Sequence, residues 1–146
     1  MTPGVTPGVT MMAVSRPVAP GLFVEDAGGP RLLAGQCPAC SRPHFPAGRV
    51  CPYCAAEGCT ETRVGPAGRL WLYTAIGTRP PGYAGEVPFG FGVVELPGGL
   101  RVITRLTEPR LELLRPGMPM RLVITPLHTD DAGTAVVSYA FAPEEA

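Results

Sequence analysis

This sequence is short of charge. Only 16% of its 146 residues are Asp, Glu, Lys or Arg, against roughly a quarter in an ordinary soluble domain. The two signs balance, 12 basic and 12 acidic, for a formal net charge of zero. A face that tracks a nucleic-acid backbone must be clearly basic, so this balance argues against a nucleic-acid partner. Apolar runs of transmembrane length, about 18 residues, are also missing, so no membrane-spanning segment is expected. Met1–Thr10 is rich in Pro, Gly and Thr rather than basic and then apolar. No secretory leader is therefore expected, and the compartment is expected to be cytoplasmic and reducing. Histidine is down to two residues, His44 and His128. The sequence offers no Ser-His-Asp set, no thiol with a paired histidine and no glycine-rich phosphate loop, so catalysis by this chain alone is not expected.

Hydrophobic residues make up 45% of the chain. With so little charge, such a surface favours a permanent partner or an oligomer over a solitary monomer. Glycine and proline contribute 19 residues each. Prolines 3, 7, 17 and 20 and the doubled Thr-Pro-Gly-Val unit near the start suit neither helix nor central strand. Residues 1–16 therefore read as a disordered tail. Residues 17–35 hold two apolar clusters, Leu22–Val24 and Leu32–Ala34, around a turn-like Asp26–Pro30. They read as an extended or partly helical packing segment that covers a surface elsewhere.

Residues 36–60 carry the strongest signal. Cys37-Pro38-Ala39-Cys40 and Cys51-Pro52-Tyr53-Cys54 are two C-x-x-C pairs separated by ten residues. In a reducing compartment this spacing reads as a four-cysteine metal knuckle rather than as disulfides. Cys37, Cys40, Cys51 and Cys54 are the expected ligands, with Zn2+ in a structural role. Iron shares the ligand set and is the competitor. So small a module needs the metal to fold. Phe45, between the pairs, is the expected apolar plug of the unit. Cys59, the fifth cysteine, reads as a small buried hydrophobe.

From Arg69 onward the texture becomes short strands broken by turns. Leu70–Ile76 is strand-like and would set Trp71 and Tyr73 on one face. Phe89–Leu96 carries Gly90 and Gly92 on one face, which fits a bend or a close backbone neighbour. A turn at Pro97–Gly99 leads to Leu100–Leu106, which alternates with its arginines outward. Thr107–Arg115 holds one helical turn at most. Met118–Thr125, a polar loop over Pro126–Gly133 and Val136–Phe141 complete five strands. Residues 66–143 then read as a five-stranded OB-fold barrel, with an SH3-like barrel as the alternative. The expected class is mainly β: zinc ribbon, then barrel.

This order resembles the DUF35 family, described as acyl-CoA-associated OB-fold proteins with a rubredoxin-like zinc ribbon. The resemblance runs from about Pro17 to Pro143. It is carried by Pro30–Leu33, both cysteine pairs, Phe45-Pro46-Ala47, Gly68–Trp71, Pro88–Gly92, Val94–Leu96, Arg105–Thr107, Gly117-Met118 and Tyr139–Pro143. Two departures stand out: Ser41 where many members have glycine, and Ala47-Gly48 where many continue Pro-Arg. The first is expected to strain or re-turn the knuckle.

The resemblance implies a small non-catalytic subunit beside a thiolase-like enzyme, the type of the small subunit of benzoylsuccinyl-CoA thiolase. It implies alternatively a subunit beside an acyl-CoA hydratase or aldolase. The large partner would supply the reacting groups, and the complex would bind a CoA ester. Arg79, Arg101 and Arg105 are the candidate contacts to CoA phosphates, since guanidinium geometry suits phosphate. Against this stands a nucleic-acid module stacking bases on Trp71, Tyr73, Phe89 and Phe91, which the neutral charge disfavours. A stand-alone rubredoxin-type redox protein would leave the barrel unexplained.

Overall fold

The structure is a computed structural model that describes residues 15–144. Residues 1–14 of the expected disordered tail lie outside the described residues. Ser15 and Arg16, assigned to that tail, instead form strand β1 with Pro17. The packing segment is made of extended strands joined by turns, and its partly helical alternative is not adopted. Phe23–Asp26 (β2) and Gly29–Gln36 (β3) make an antiparallel hairpin. β3 also pairs with Pro43–His44 (β4) and Thr60–Val64 (β5), so the hairpin and the ribbon share one four-stranded sheet.

The second sheet is the barrel. Its strands are Ala67–Ile76 (β6), Phe89–Glu95 (β7), Arg101–Leu106 (β8), Pro119–Thr129 (β9) and Ala135–Pro143 (β10). They run β6-β7-β8-β10-β9 and close because β9 returns to β6 through Ala67–Arg69. β8 and β10 are parallel and the other neighbours antiparallel, which makes this the five-stranded OB arrangement. β1 adds a short parallel strand to β10 at Ala135–Val137. A single 3-10 turn at Leu111–Leu113 follows β8. β9 runs to Thr129, so the expected loop over residues 126–133 shrinks to the turn after it. Pro126 is tolerated in the strand, beside the register irregularity that β10 makes at Val136/Val137.

Trp71 and Tyr73 do not share a face. The β6–β7 register shifts between Leu70 and Leu72, leaving Trp71 as an extra residue. Such a bulge turns Trp71 and Leu72 both outward and returns Tyr73 to the inside, where it packs on the core. The core is continuous across both sheets. Leu32 and Ala34 of β3, each fully buried, belong to the same cluster as Leu70, Val94, Val102, Met120, Leu122 and Phe141 of the barrel. Phe45 does not plug the ribbon alone. It packs against that cluster and meets the Tyr139 ring edge-on at 5.4 Å.

Asp130 holds the turn between β9 and β10. Its Oδ1 accepts from the backbone N–H groups of Ala132 (3.0 Å) and Thr134 (2.9 Å), and its Oδ2 from Arg16 Nε (3.1 Å). These donors, the Thr134 N–H foremost, hold the carboxyl below the usual range. A carboxyl with a lowered folded pKa contributes stability above its unfolded pKa of about 4, and that contribution fades as the pH falls through the folded value. Asp130→Asn should therefore melt below the wild type at neutral pH, with the gap narrowing below about pH 4 in a pH series of thermal melts. A gap constant with pH would contradict this.

Candidate metal centre and barrel surface

Each C-x-x-C pair sits in a tight turn, and the two turns repeat one hydrogen-bond pattern. Ser41 N–H donates to the Cys37 carbonyl (3.1 Å) and Ala55 N–H to the Cys51 carbonyl (2.9 Å). Cys37 N–H then donates to the Arg42 carbonyl (3.2 Å) and Cys51 N–H to the Ala56 carbonyl (2.9 Å). The turns aim backbone donors at sulfur: Ala39 and Cys40 at Cys37 Sγ (3.3 and 3.4 Å), and Tyr53 at Cys51 Sγ (3.3 Å).

The four sulfurs of Cys37, Cys40, Cys51 and Cys54 all lie within 4.8 Å of one another. Cys37 and Cys54 approach to 3.6 Å, as do Cys40 and Cys51. A tetrahedron with zinc–sulfur bonds of about 2.3 Å has edges of about 3.8 Å, so this donor set fits a zinc ion. It does not fit disulfides, whose sulfurs are about 2.05 Å apart. The thiols also need a cation. The Cys40 and Ala39 N–H groups bring the Cys37 thiol down to about 6, against the opposing effect of burial. At Cys54 the Ala56 N–H pulls down, but the crowded thiols of Cys37, Cys51 and Cys40 together with burial push it up to about 12. Four thiolates in so small a space require a positive ion among them, and the bound metal would supply cross-linking between the two turns.

Ser41 and Ala55 both sit in the left-handed region, at φ 66° and 67°. That is the conformation glycine would ease, so the strain expected at Ser41 is present and is matched in the second turn. Ser41→Gly should raise the melting temperature slightly, by an amount worth about 0.5–1 kcal/mol after glycine's own entropy cost is set against the steric relief. Equal or lower stability in Ser41→Gly would show that the serine is not strained.

Cys59 stands beside this group but outside the four-sulfur cluster. It is half-buried, and burial, with the nearby Cys37 thiol, raises its pKa. His44 is not a ligand either. The residue is 4% exposed and its ring lies against Gly35, where a Cβ would come within 2.2 Å of Nε2. Nε2–H donates to the Gly48 carbonyl at 3.1 Å.

The three candidate arginines do not converge on one point. Arg79 donates to the Gly85 carbonyl within its own loop. Arg101 lies over the Trp71 ring at 3.8 Å and pairs with Glu95 at 3.3 Å. Arg105 reaches Thr125 Oγ1 (2.8 Å) and is half-buried. It alone of the three lines a depression of about 540 Å³, with Tyr83, Phe89 and His128. The ring centroids of Tyr83 and Phe89 are 4.9 Å apart, and Phe89 meets Phe91 edge-on at 6.5 Å. Phe89 and Phe91 point outward from β7 rather than into the barrel. Sequence reasoning missed Tyr83, which the long β6–β7 loop folds back onto Phe89. Its place between Pro80-Pro81-Gly82 and Gly85 was the available signal.

Fold and site together define a zinc ribbon continuous with an OB barrel. Two family models describe those parts: the ChsH2 rubredoxin-like zinc ribbon domain matches residues 26–58, and the ChsH2 C-terminal OB-fold domain matches residues 61–125, together more than half of the chain. The chain belongs to this DUF35 family of ribbon-and-barrel proteins. It is 24% identical over 116 residues to a "DUF35 domain-containing scaffold protein" of Methanocaldococcus jannaschii, covering 78% of this chain and 82% of that one. It is 30% identical over 123 residues to a "Probable enoyl-CoA hydratase alpha subunit" of Thermomonospora curvata, covering 84% of this chain but 38% of that one. Among solved structures it resembles the "Ltp2-ChsH2(DUF35) aldolase", with a TM-score of 0.61 and 27% identity over 77% of this chain and 84% of that chain.

Proposed function

We propose that this chain is the non-catalytic accessory subunit of an acyl-CoA enzyme, which it stabilises and whose acyl-CoA site it helps to form. The observation that carries the reading is the single core shared by ribbon and barrel, with no nucleophile, base and orienting group assembled among the described residues. Such a unit is built to be held rigid and to hold something else. The names of its relatives agree: a scaffold protein, a hydratase subunit and an aldolase complex.

Our finer reading is a thiolase-like partner, in which a large subunit makes or breaks a carbon–carbon bond through an acyl-cysteine. A hydratase or retro-aldolase partner is the second reading, and the named hydratase and aldolase relatives favour it. Of the candidate CoA contacts, Arg105 is the best placed, because the adjoining Tyr83 and Phe89 rings can pack against an organic ligand while the guanidinium meets its phosphate. Arg79 and Arg101 do not line this depression, and each of the three arginines has a hydrogen-bond partner to exchange.

The test is purification of the native complex, with metal analysis and sequencing of whatever accompanies this chain. A thiolase-, hydratase- or aldolase-like subunit with about one zinc per copy of this chain supports the reading and chooses among the partners. Recovery of the chain alone, or with nucleic acid, overturns it.

A further inference from the structure

One side of the barrel is apolar where an outer sheet face is normally polar. Leu72 of β6, Val93 of β7 and Ile103 of β8 are register partners and form a row across three strands. Leu72 is 59% exposed and Ile103 64%. The bulge adds Trp71 to the same face, 45% exposed. Its ring is held by Arg101, which Glu95 holds in turn. A groove of about 600 Å³ lined by Arg69, Leu70, Trp71, Leu72, Glu95, Pro116 and Gly117 runs alongside. Tryptophan and arginine are among the side chains that dominate binding energy in protein interfaces, and the exposed aliphatics beside them add apolar area that a contact would take from water.

The charges around the row say what kind of surface fits it. On one side the next outward row is Arg69, Glu95 and Arg101; on the other it is Thr74, Phe91 and Arg105. Three arginines face one glutamate, and Arg101 already pairs with that glutamate. Two copies of this chain meeting face to face would bring basic border against basic border, because a two-fold contact pairs a patch with itself. A different chain with an acidic border would meet no such conflict.

We propose that the Leu72–Val93–Ile103 row and Trp71 form the seat of the acyl-CoA enzyme subunit, whose matching patch is apolar with an acidic border. This rests on the accessory-subunit reading and assigns that subunit to one side of the barrel. Ile103 and Leu72 point to solvent, so charge placed there leaves the core intact and acts on the contact alone.

The experiment is reconstitution of the complex from this chain and the purified enzyme subunit, identified by sequence as an acyl-CoA enzyme, with the dissociation constant measured at several salt concentrations. Ile103→Glu should weaken binding about 30-fold or more while zinc content and melting temperature stay at wild-type values. Leu72→Gln should act in the same direction more weakly. Arg69→Glu should weaken binding about tenfold and flatten its salt dependence. Val18→Glu, beside β1, should change nothing. Wild-type binding that Ile103→Glu and Leu72→Gln leave intact overturns the proposal alone. So does self-association of the free chain that Ile103→Glu abolishes, which would put a second copy on this face. A wild-type chain that holds no acyl-CoA enzyme subunit overturns the accessory-subunit reading and the docking surface with it.

Discussion

Replacing Cys54 with serine should strip the metal from the ribbon and lower the melting temperature of the whole chain, by about 15 °C or more, in one transition rather than two. The size follows from the geometry. Cys54 supplies one of four sulfurs in a set with no fifth thiol inside the cluster. The single transition follows from the core. Leu32 and Ala34 stand on the strand that anchors the ribbon sheet, yet they are buried among barrel residues. A ribbon that comes apart therefore withdraws two fully buried side chains from the barrel, at a cost of about 2–5 kcal/mol for a leucine alone. Calorimetry with zinc analysis reads both quantities, and removal of the metal from the wild type with a strong chelator should give the same result. A Cys54→Ser chain that stays folded and metal-loaded, or whose barrel melts where the wild type does, would refute the coupling.

Gly92→Ala should destabilise the chain nearly as severely, by about 3 kcal/mol or more, although it adds one methyl group. A Cβ at Gly92 would come 2.1 Å from the Leu72 carbonyl oxygen and 3.0 Å from Tyr73 Cα. These are backbone atoms of the neighbouring strand at the bulge, and they cannot yield as a flexible side-chain end would. Gly77 provides the control: a Cβ there meets nothing within 4 Å and its φ is not in the left-handed region. Gly77→Ala should be neutral or slightly stabilising, since it only restricts the unfolded chain. Denaturant melts of the two variants measure the contrast, and a Gly92→Ala variant as stable as Gly77→Ala would show that the strands separate easily there.

Much of this was legible beforehand, for reasons that differ by element. The cysteine ligands were readable because metal chemistry imposes a short, rigid spacing. The barrel was readable because Leu100–Leu106 and Met118–Ile124 alternate with the period of a half-buried strand. Gly90 and Gly92 announced close approaches, which Leu106 and Glu108 supply at Gly90 and the Leu72–Tyr73 backbone at Gly92. Trp71 was misplaced because one extra residue reverses every later side chain in a strand, and a bulge leaves no mark on composition. The second role of Phe45, packing on the barrel, was not legible because its partner there, Tyr139, is 94 residues away and nothing local encodes that contact. The arginines were identified by residue type alone. Their hydrogen bonds to Gly85, Glu95 and Thr125 depend on loop and strand packing that pattern reading does not reach.

The placement of β3 also bears on how such a chain can be rebuilt. The two recognised parts meet near residue 60, which invites cutting there and exchanging ribbons between relatives. A graft made at that point would give the barrel a stranger's Leu32 and Ala34, and their fit would decide the fate of the hybrid more than the cysteines would. A transplant that keeps Gly29–Gln36 with the native barrel and replaces only the segment bearing the two cysteine turns is the exchange that preserves the jigsaw.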